Sequence, residues 1–254
     1  MIRQNWIDWA KAIGIYLVVV GHCTFTNTNI EGFIYTFHMP LFFLISGFLY
    51  KKEKLSITLY LKKLTNRLLV PYLFINLLIT IWELTKFIIR GNNEFILIKE
   101  QLYGTLLGIP TKIISGPTWF LLALFWCQLF MYIYIRLNKI KYYSIVLMVS
   151  IIIFLLKHYS NYSLFWGLDT FPLGFLYFIL MYYLKGPIYK LLKMKQQLHN
   201  IIASVLLFVV TFYLYKINGN SNLILSLFGK KFLFRISRSS NWLSRSFIIR
   251  IFSK

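Results

Sequence analysis

Two histidines lie inside apolar runs of the sequence, and both have side chains that could do chemistry. His22 ends the segment WIDWAKAIGIYLVVVGH, and His38 lies in FHMPLFFLISGF. A titratable side chain within a hydrophobic segment is costly to bury, so each is a candidate functional group. An imidazole with a pKa of about 6.5 can take a proton from a hydroxyl, or can itself be acylated. The alternative is that each histidine makes only a structural hydrogen bond between helices.

Helical spacing places a cation on the same face as the first histidine. Lys11 and His22 are 11 residues apart, which at about 100° per residue is roughly 20° from three full turns. The same geometry separates them by about 16 Å along the helix axis. Asp8 joins this stripe as a candidate supporting residue of the site, and the simpler interpretation is a structural ion pair with Lys11.

The second histidine is expected at a depth similar to the first. His22 shortly precedes the turn between the two apolar runs, and His38 follows that turn by a comparable number of residues. Both imidazoles should then lie roughly 10 Å from the same end of their helices. A metal site is poorly supported, because no carboxylate or third ligand lies nearby in the sequence.

The elements that must position these groups are membrane helices. The chain has 254 residues, of which 58% are hydrophobic and 14% charged, where a soluble domain carries roughly 25% charged residues. Apolar runs of about 20 residues can each cross a ~30 Å hydrocarbon core. The sequence predicts an all-α, polytopic transmembrane helix bundle of about seven or eight spans. The first seven are residues 10–27, 31–50, 68–89, 117–136, 142–157, 165–184 and 199–217.

Two other segments have a different character. Residues 94–110 form a shorter apolar stretch with charged residues, which predicts an amphipathic or re-entrant helix on the outer face. Residues 230–254 are basic and rich in Ser and Arg. We therefore expect a membrane domain over residues 1–229 and a tail over 230–254 that is either interfacial or the product of a frameshift.

The basic residues fit a membrane topology better than a nucleic-acid site. The net charge of +21 comes from 28 Lys and Arg against 7 Asp and Glu. With the N-terminus in the cytoplasm, about 22 of the basic residues fall on the cytoplasmic side, as the positive-inside rule favours. Anionic lipid headgroups of the bilayer are then their expected partner, and no nucleic acid is expected.

Four blocks of the sequence carry a resemblance to a known family. They are residues 6–22 (WIDWAKAIGIYLVVVGH), 33–50 (FIYTFHMPLFFLISGFLY), 63–74 (KLTNRLLVPYLF) and 116–126 (GPTWFLLALFW). In this order and spacing they resemble the acyltransferase 3 family of bacterial membrane acyltransferases. The similarity is greatest to the fucose 4-O-acetylase-like branch, which modifies cell-surface polysaccharides. Relatives usually have about ten spans, so the resemblance implies that this chain is truncated at its C-terminal side.

The resemblance implies roles for particular residues. His22 would be catalytic, and His38, in a block that matches with little departure, is the second catalytic candidate. Lys11 and Arg67 would handle the acyl donor. The family often has Arg at the position of Lys11, and Lys lacks the planar guanidinium fork for phosphate. Ser46, in the SGF part of the second block, would support the site.

The implied activity is O-acetyl transfer in the bacterial cytoplasmic membrane. Acetyl-CoA would be the donor substrate, with no bound cofactor or metal, and the acceptor would be a hydroxyl of a cell-surface polysaccharide or lipid-linked sugar, as in exopolysaccharide biosynthesis. Trp119 and Asp169 are candidate acceptor contacts, although Trp is ordinary at membrane interfaces. The alternatives are a non-enzymatic membrane protein, such as a glycan exporter, and an inactive truncated acyltransferase.

Overall fold

The described part of the protein consists of helices, short connecting loops and one very short β-ladder. The computed structural model describes residues 5–22, 28–90, 95–109, 112–137, 144, 148–153, 155, 164–168, 170–193, 197–218, 221–222 and 227–228. The ladder pairs Ser221–Asn222 with Leu227–Phe228 in antiparallel fashion. The predicted helical class is confirmed. The tail over residues 230–254 lies outside the described residues.

We number the principal helices in chain order and treat the short 3-10 and π segments separately. The helices are α1 (Asn5–Gly21), α2 (Thr28–Leu49), α3 (Ile57–Leu64), α4 (Val70–Arg90), α5 (Phe95–Leu107), α6 (Trp119–Leu137), α7 (Phe171–Lys193) and α8 (Gln197–Asn218). Residues 148–153 are helical as well. A π-helical segment, Thr65–Leu69, joins α3 to α4, and 3-10 turns cover Gly116–Thr118 and Phe165–Gly167. The helix predicted within residues 94–110 is α5, and its place on the outer face stays a prediction.

Four helical stretches within the described residues are long and apolar enough to cross a bilayer. They are Ile30–Leu49, Ile57–Ile89, Gly116–Arg136 and Phe165–Lys190. The apolar helices therefore confirm a membrane protein. The total of seven or eight spans and the cytoplasmic N-terminus stay predictions, and most of the predicted span over residues 142–157 lies outside the described residues.

The second of these stretches begins earlier than the sequence predicted. The expected span began at residue 68, but the helical run begins at Ile57 and continues through the π segment. The reason is that α3 is amphipathic. Tyr60 and Leu64 are buried while Lys62 and Lys63 face outward, so an apolar stripe forms a helix even though the lysines resemble a loop.

Close packing of α2 against α7 forms the centre of the fold. A Cβ atom added to Gly47 would lie 2.0 Å from the backbone oxygen of Phe178, and one added to Gly174 would lie 2.5 Å from the ring of Phe43. Both distances are too short for any side chain, so these two glycines permit the approach of the helices. Small residues have this role in many membrane helix pairs.

A similar contact fixes α1 along α2. A Cβ atom on Gly14 would lie 2.9 Å from the ring of Phe42, and one on Gly21 would lie 3.3 Å from Ile34. Both glycines are buried, one near the middle of α1 and one at its end. The contact therefore fixes the position of α1, which carries Lys11 and is followed directly by His22, relative to α2.

A buried amide joins α4 to the start of α6. The Nδ2 group of Asn76 donates to the carbonyl of Tyr72 at 2.8 Å and to Oγ1 of Thr118 at 3.0 Å. Its Oδ1 accepts from the backbone N–H of Ser115 at 3.2 Å. Each hydrogen-bonding atom of this side chain thus has a partner, which is what a buried amide requires.

Candidate functional site

A cavity with apolar, basic and acidic residues in its lining opens between α1, α2, α3 and α6. Its volume is about 480 Å³, within the range of small-molecule sites. Four of its lining residues are basic and one is acidic, namely Lys11, Lys51, Lys63, Arg67 and Glu53. The structure thus brings together the two predicted donor-binding residues, Lys11 and Arg67, from separate helical segments. It also places Ser46 in the same wall.

Arg67 lies in the π-helical segment, where the helix is locally widened. Pro71 lacks an N–H, and in a regular α-helix its ring would clash with the carbonyl of residue 67, four positions earlier. The wider turn relieves this clash, and the N–H of Val70 donates instead to the carbonyl of Thr65. Such π segments are frequent at functional sites.

The Arg67 side chain is held by a residue that the sequence analysis did not select. Its guanidinium donates to the side-chain oxygen of Gln128 on α6. Gln128 is only 5% exposed, and its backbone carbonyl accepts from the hydroxyl of Tyr60 at 3.2 Å. Tyr60 in turn stacks on Tyr132, with ring centroids 4.2 Å apart. The sequence did contain a signal for Gln128, because its amide lies inside the apolar run of α6 and polar groups within membrane spans are rare.

A second residue missed from sequence is Tyr50, which directly follows α2 and lines the cavity. It is 7% exposed, and its hydroxyl has no hydrogen-bond partner among the described residues. The neighbouring Tyr60 hydroxyl donates elsewhere, to the carbonyl of Gln128. Burial raises the pKa of Tyr50 well above its usual value, so the phenol keeps its proton and can donate to a ligand.

One ion pair moderates the positive charge of the cavity. The Nζ atom of Lys63 lies 2.6 Å from a carboxylate oxygen of Glu53. Both side chains are partly exposed, so the pair adds little to stability. Its main effect is to offset the charge of Lys63, which leaves Lys11, Lys51 and Arg67 as the remaining basic groups of the wall.

Both histidines pack against the ring of Tyr35 on α2, at a place separate from the cavity. The ring centroid of Tyr35 lies 5.7 Å from that of His22 and 5.2 Å from that of His38. The structure therefore brings the two histidines together, as their matching depth predicts. Neither imidazole lines the cavity.

The hydrogen bond of His38 determines which of its two ring nitrogens carries the proton. Its Nδ1 atom lies 2.8 Å from the backbone carbonyl of Ile34, and a carbonyl oxygen can only accept. Nδ1 must therefore carry the proton, and in the neutral ring Nε2 is the unprotonated nitrogen. His38 is only 3% exposed, so this hydrogen bond also satisfies a buried polar atom.

The remaining predicted residues lie elsewhere. Asp8 is exposed in the first turn of α1 and does not line the cavity. Trp119 is 2% exposed and packs in the hydrophobic core, so its ring faces other side chains. Asp169 lies outside the described residues. In the part of the chain that is described, no three His, Cys, Asp or Glu side chains come together as a metal site requires.

Comparisons with known proteins agree with the resemblance of the helix blocks. Nodulation protein NolL of Mesorhizobium japonicum is 35% identical over 135 residues, which cover 48% of this chain and 34% of that protein. The chain thus spans about a third of the length of this relative. No solved structure matches the chain. The model of the acyltransferase 3 family, described as "Acyltransferase domain", matches residues 4–254, and the chain belongs to this family.

Proposed function

We propose that the protein is a membrane O-acetyltransferase that uses acetyl-CoA to acetylate a hydroxyl of a cell-surface polysaccharide or lipid-linked sugar. The observation that carries this proposal is the pairing of a basic cavity with a nearby histidine cluster on the same two helices. Lys11 of α1 lines the cavity, and His22, which directly follows α1, lies about 16 Å further along the axis of that helix. Membership of an acyltransferase family supplies the reaction class.

The cavity suits the nucleotide end of the donor. Coenzyme A carries several phosphate charges, and Lys11, Lys51 and Arg67 offer positive charge in the cavity lining. Arg67 is already oriented by Gln128, so its remaining N–H groups can bind a phosphate with little further ordering. The free hydroxyl of Tyr50 can add a neutral hydrogen bond, and Ser46 lies in the same wall.

The histidine cluster suits the transfer step. With the nucleotide in the cavity, the thin pantetheine arm can carry the thioester along α1 towards His22. Neutral His22 takes the proton of the acceptor hydroxyl while that oxygen attacks the thioester carbonyl. The C–S bond then breaks, and the departing thiolate takes the proton back from the imidazolium. In the second form of this mechanism, His22 is acetylated first and passes the group on.

The location of the protein and its acceptor are part of the same proposal. We place the protein in the bacterial cytoplasmic membrane as a multi-pass protein with a cytoplasmic N-terminus, so that the cavity faces the acetyl-CoA pool. Within the family we favour the fucose 4-O-acetylase-like branch. Residues 1–229 would form the catalytic domain and residues 230–254 a basic surface segment. Asp169 stays a candidate acceptor contact, and Trp119 would need to leave the core to become one.

Labelled acetyl-CoA added to the cytoplasmic side of membrane vesicles tests the proposal. We expect label in surface glycan with the wild-type chain, and a loss of at least about 100-fold with His22→Ala, because general acid–base catalysis contributes that much or more. The amount of inserted protein must be equal in both samples. An acetylated protein that can be chased by acceptor would indicate the acetyl-histidine route.

Two results would overturn the proposal. Inserted wild-type protein that transfers no label would indicate an inactive acyltransferase. Movement of glycan units across the vesicle membrane, without acetyl-CoA and unchanged in His22→Ala, would indicate an exporter.

A further inference from the structure

The hydroxyl of Tyr35 contacts two atoms at the end of α1. It lies 3.0 Å from the backbone carbonyl oxygen of Gly21 and 3.4 Å from Nδ1 of His22. The ring of Tyr35 also packs edge-on against the His22 ring, with an angle of 76° between the planes. Tyr35 is therefore the side chain of α2 that contacts both the last residue of α1 and the imidazole that follows it.

The hydroxyl has a single proton, and the two contacts compete for it. The Gly21 carbonyl can only accept, so the shorter contact requires Tyr35 to donate there. The carbonyls in the last turn of a helix lack partners within the helix, which makes Gly21 a strong acceptor. The Tyr35 oxygen is then available to His22 only as an acceptor.

This arrangement fixes the position of the proton on His22. We propose that Tyr35 is a positioning residue that holds neutral His22 with its proton on Nδ1 and leaves Nε2 free. The proposal deepens the proposed function, because a free Nε2 is what either proton transfer or acetylation at His22 requires. His38 reaches the same tautomer through the Ile34 carbonyl, so the two rings present the same nitrogen.

Nitrogen NMR of the full chain in lipid bilayers reads the tautomer directly. The sequence has only four histidines, so labelling every histidine ring with ¹⁵N and comparing the spectrum with that of His22→Asn assigns the His22 signals. At a pH about two units above the ordinary imidazole pKa, the ring is neutral. We expect the wild-type spectrum to show the proton on Nδ1 of His22.

Tyr35→Phe removes the oxygen and keeps the ring. We expect the His22 proton to move largely to Nε2, the nitrogen that free histidine prefers to protonate. Tyr16→Phe is the matched control, because Tyr16 is exposed on α1, the helix that directly precedes His22. It should leave the spectrum unchanged. A wild-type His22 with its proton on Nε2, or a Tyr35→Phe spectrum identical to the wild type, overturns the proposal.

The transfer assay gives a second readout that separates positioning from packing. We expect Tyr35→Phe to lower kcat about three- to tenfold, the effect of one lost hydrogen bond, with an unchanged KM for acetyl-CoA. A raised KM with an unchanged kcat would contradict a role at His22. If the wild-type chain transfers nothing, the proposed function fails, whereas the spectrum still decides the role of Tyr35.

Discussion

The cavity and the histidine cluster lie along the same two helices but are built in different ways. The histidine cluster is local, because Gly21, His22, Ile34, Tyr35 and His38 all come from α1, α2 and the residue that follows α1. The cavity depends on contacts between groups that are distant in sequence. One example is the hydrogen bond between Arg67 and Gln128, two residues that are 61 positions apart. The first arrangement follows from helical periodicity, whereas the second requires the α3–α4 segment to pack against α6.

This difference predicts that the two regions can be damaged separately. Changes at the histidine cluster should affect the transfer step, measured as kcat. Changes in the cavity should affect the binding of the donor, measured as KM. Only a change to the shared scaffold should affect both, and the α2–α7 contact is such a scaffold, because α2 contributes residues to both regions.

Gly47→Ala is expected to have the largest effect. The added Cβ atom would lie 2.0 Å from the backbone oxygen of Phe178, so α2 and α7 must separate. Overpacking of this kind costs about 1–3 kcal/mol of stability, and we expect a lower Tm in detergent together with loss of both donor binding and transfer.

The matched control for this change is Gly186→Ala. An added Cβ atom there meets nothing within 4 Å, and it should leave Tm and activity intact. Equal Tm values for Gly47→Ala and Gly186→Ala would show that the α2–α7 contact is not the common support of the two regions.

The sequence predicted that the two histidines lie close together, because they come from two apolar runs joined by a short turn. The shared face of Lys11 and His22, expected from the period of the helix, stays a prediction. Both are properties of adjacent elements. Tyr35 was overlooked because a tyrosine in an apolar run resembles ordinary packing, and only its distances to Gly21 and His22 distinguish it.

The distant region was predicted only in part. Lys11 and Arg67 were selected as donor-binding residues through the family resemblance, but Gln128, which binds Arg67, and Tyr50 were not selected. No local pattern reveals which residue of α6 faces Arg67, since that depends on how the π segment rotates the chain. Trp119 shows the same limitation, because its position at the start of an apolar run fits an interface and a buried core equally well.

Arg67→Ala is expected to have the second largest effect and to separate the two regions. Loss of a hydrogen bond to a charged phosphate should raise the KM for acetyl-CoA by about tenfold or more, with little change in kcat. Steady-state kinetics with purified protein in nanodiscs measures both. Arg67→Lys should be intermediate, because lysine has no fork with which to contact Gln128 and a phosphate together.

Lys62→Ala is the charge-matched control for Arg67. Lys62 is exposed on α3 and does not line the cavity, so its loss removes one positive charge without changing the wall. If Lys62→Ala raised the KM for acetyl-CoA as much as Arg67→Ala does, donor binding would depend on the general positive charge of this surface and not on the cavity.

Tyr50→Phe is expected to have the smallest effect and gives the most specific test of the cavity. The Tyr50 hydroxyl has no hydrogen-bond partner among the described residues, so removing it breaks no bond within this part of the protein. Stability should stay the same or rise slightly, whereas the KM for acetyl-CoA should rise about two- to tenfold if the hydroxyl binds the donor.

Tyr60→Phe gives the contrast for Tyr50, because the Tyr60 hydroxyl donates to the carbonyl of Gln128 within the protein. Its loss should lower the stability by about 1 kcal/mol. We expect Tyr50→Phe to change the KM for acetyl-CoA without changing Tm, and Tyr60→Phe to lower Tm. That result would show that the Tyr50 phenol binds the donor, whereas the Tyr60 phenol stabilises the fold. A Tm that falls equally in both variants, with KM unchanged for Tyr50→Phe, would mean that Tyr50 belongs to the packing of α2 and not to the donor site.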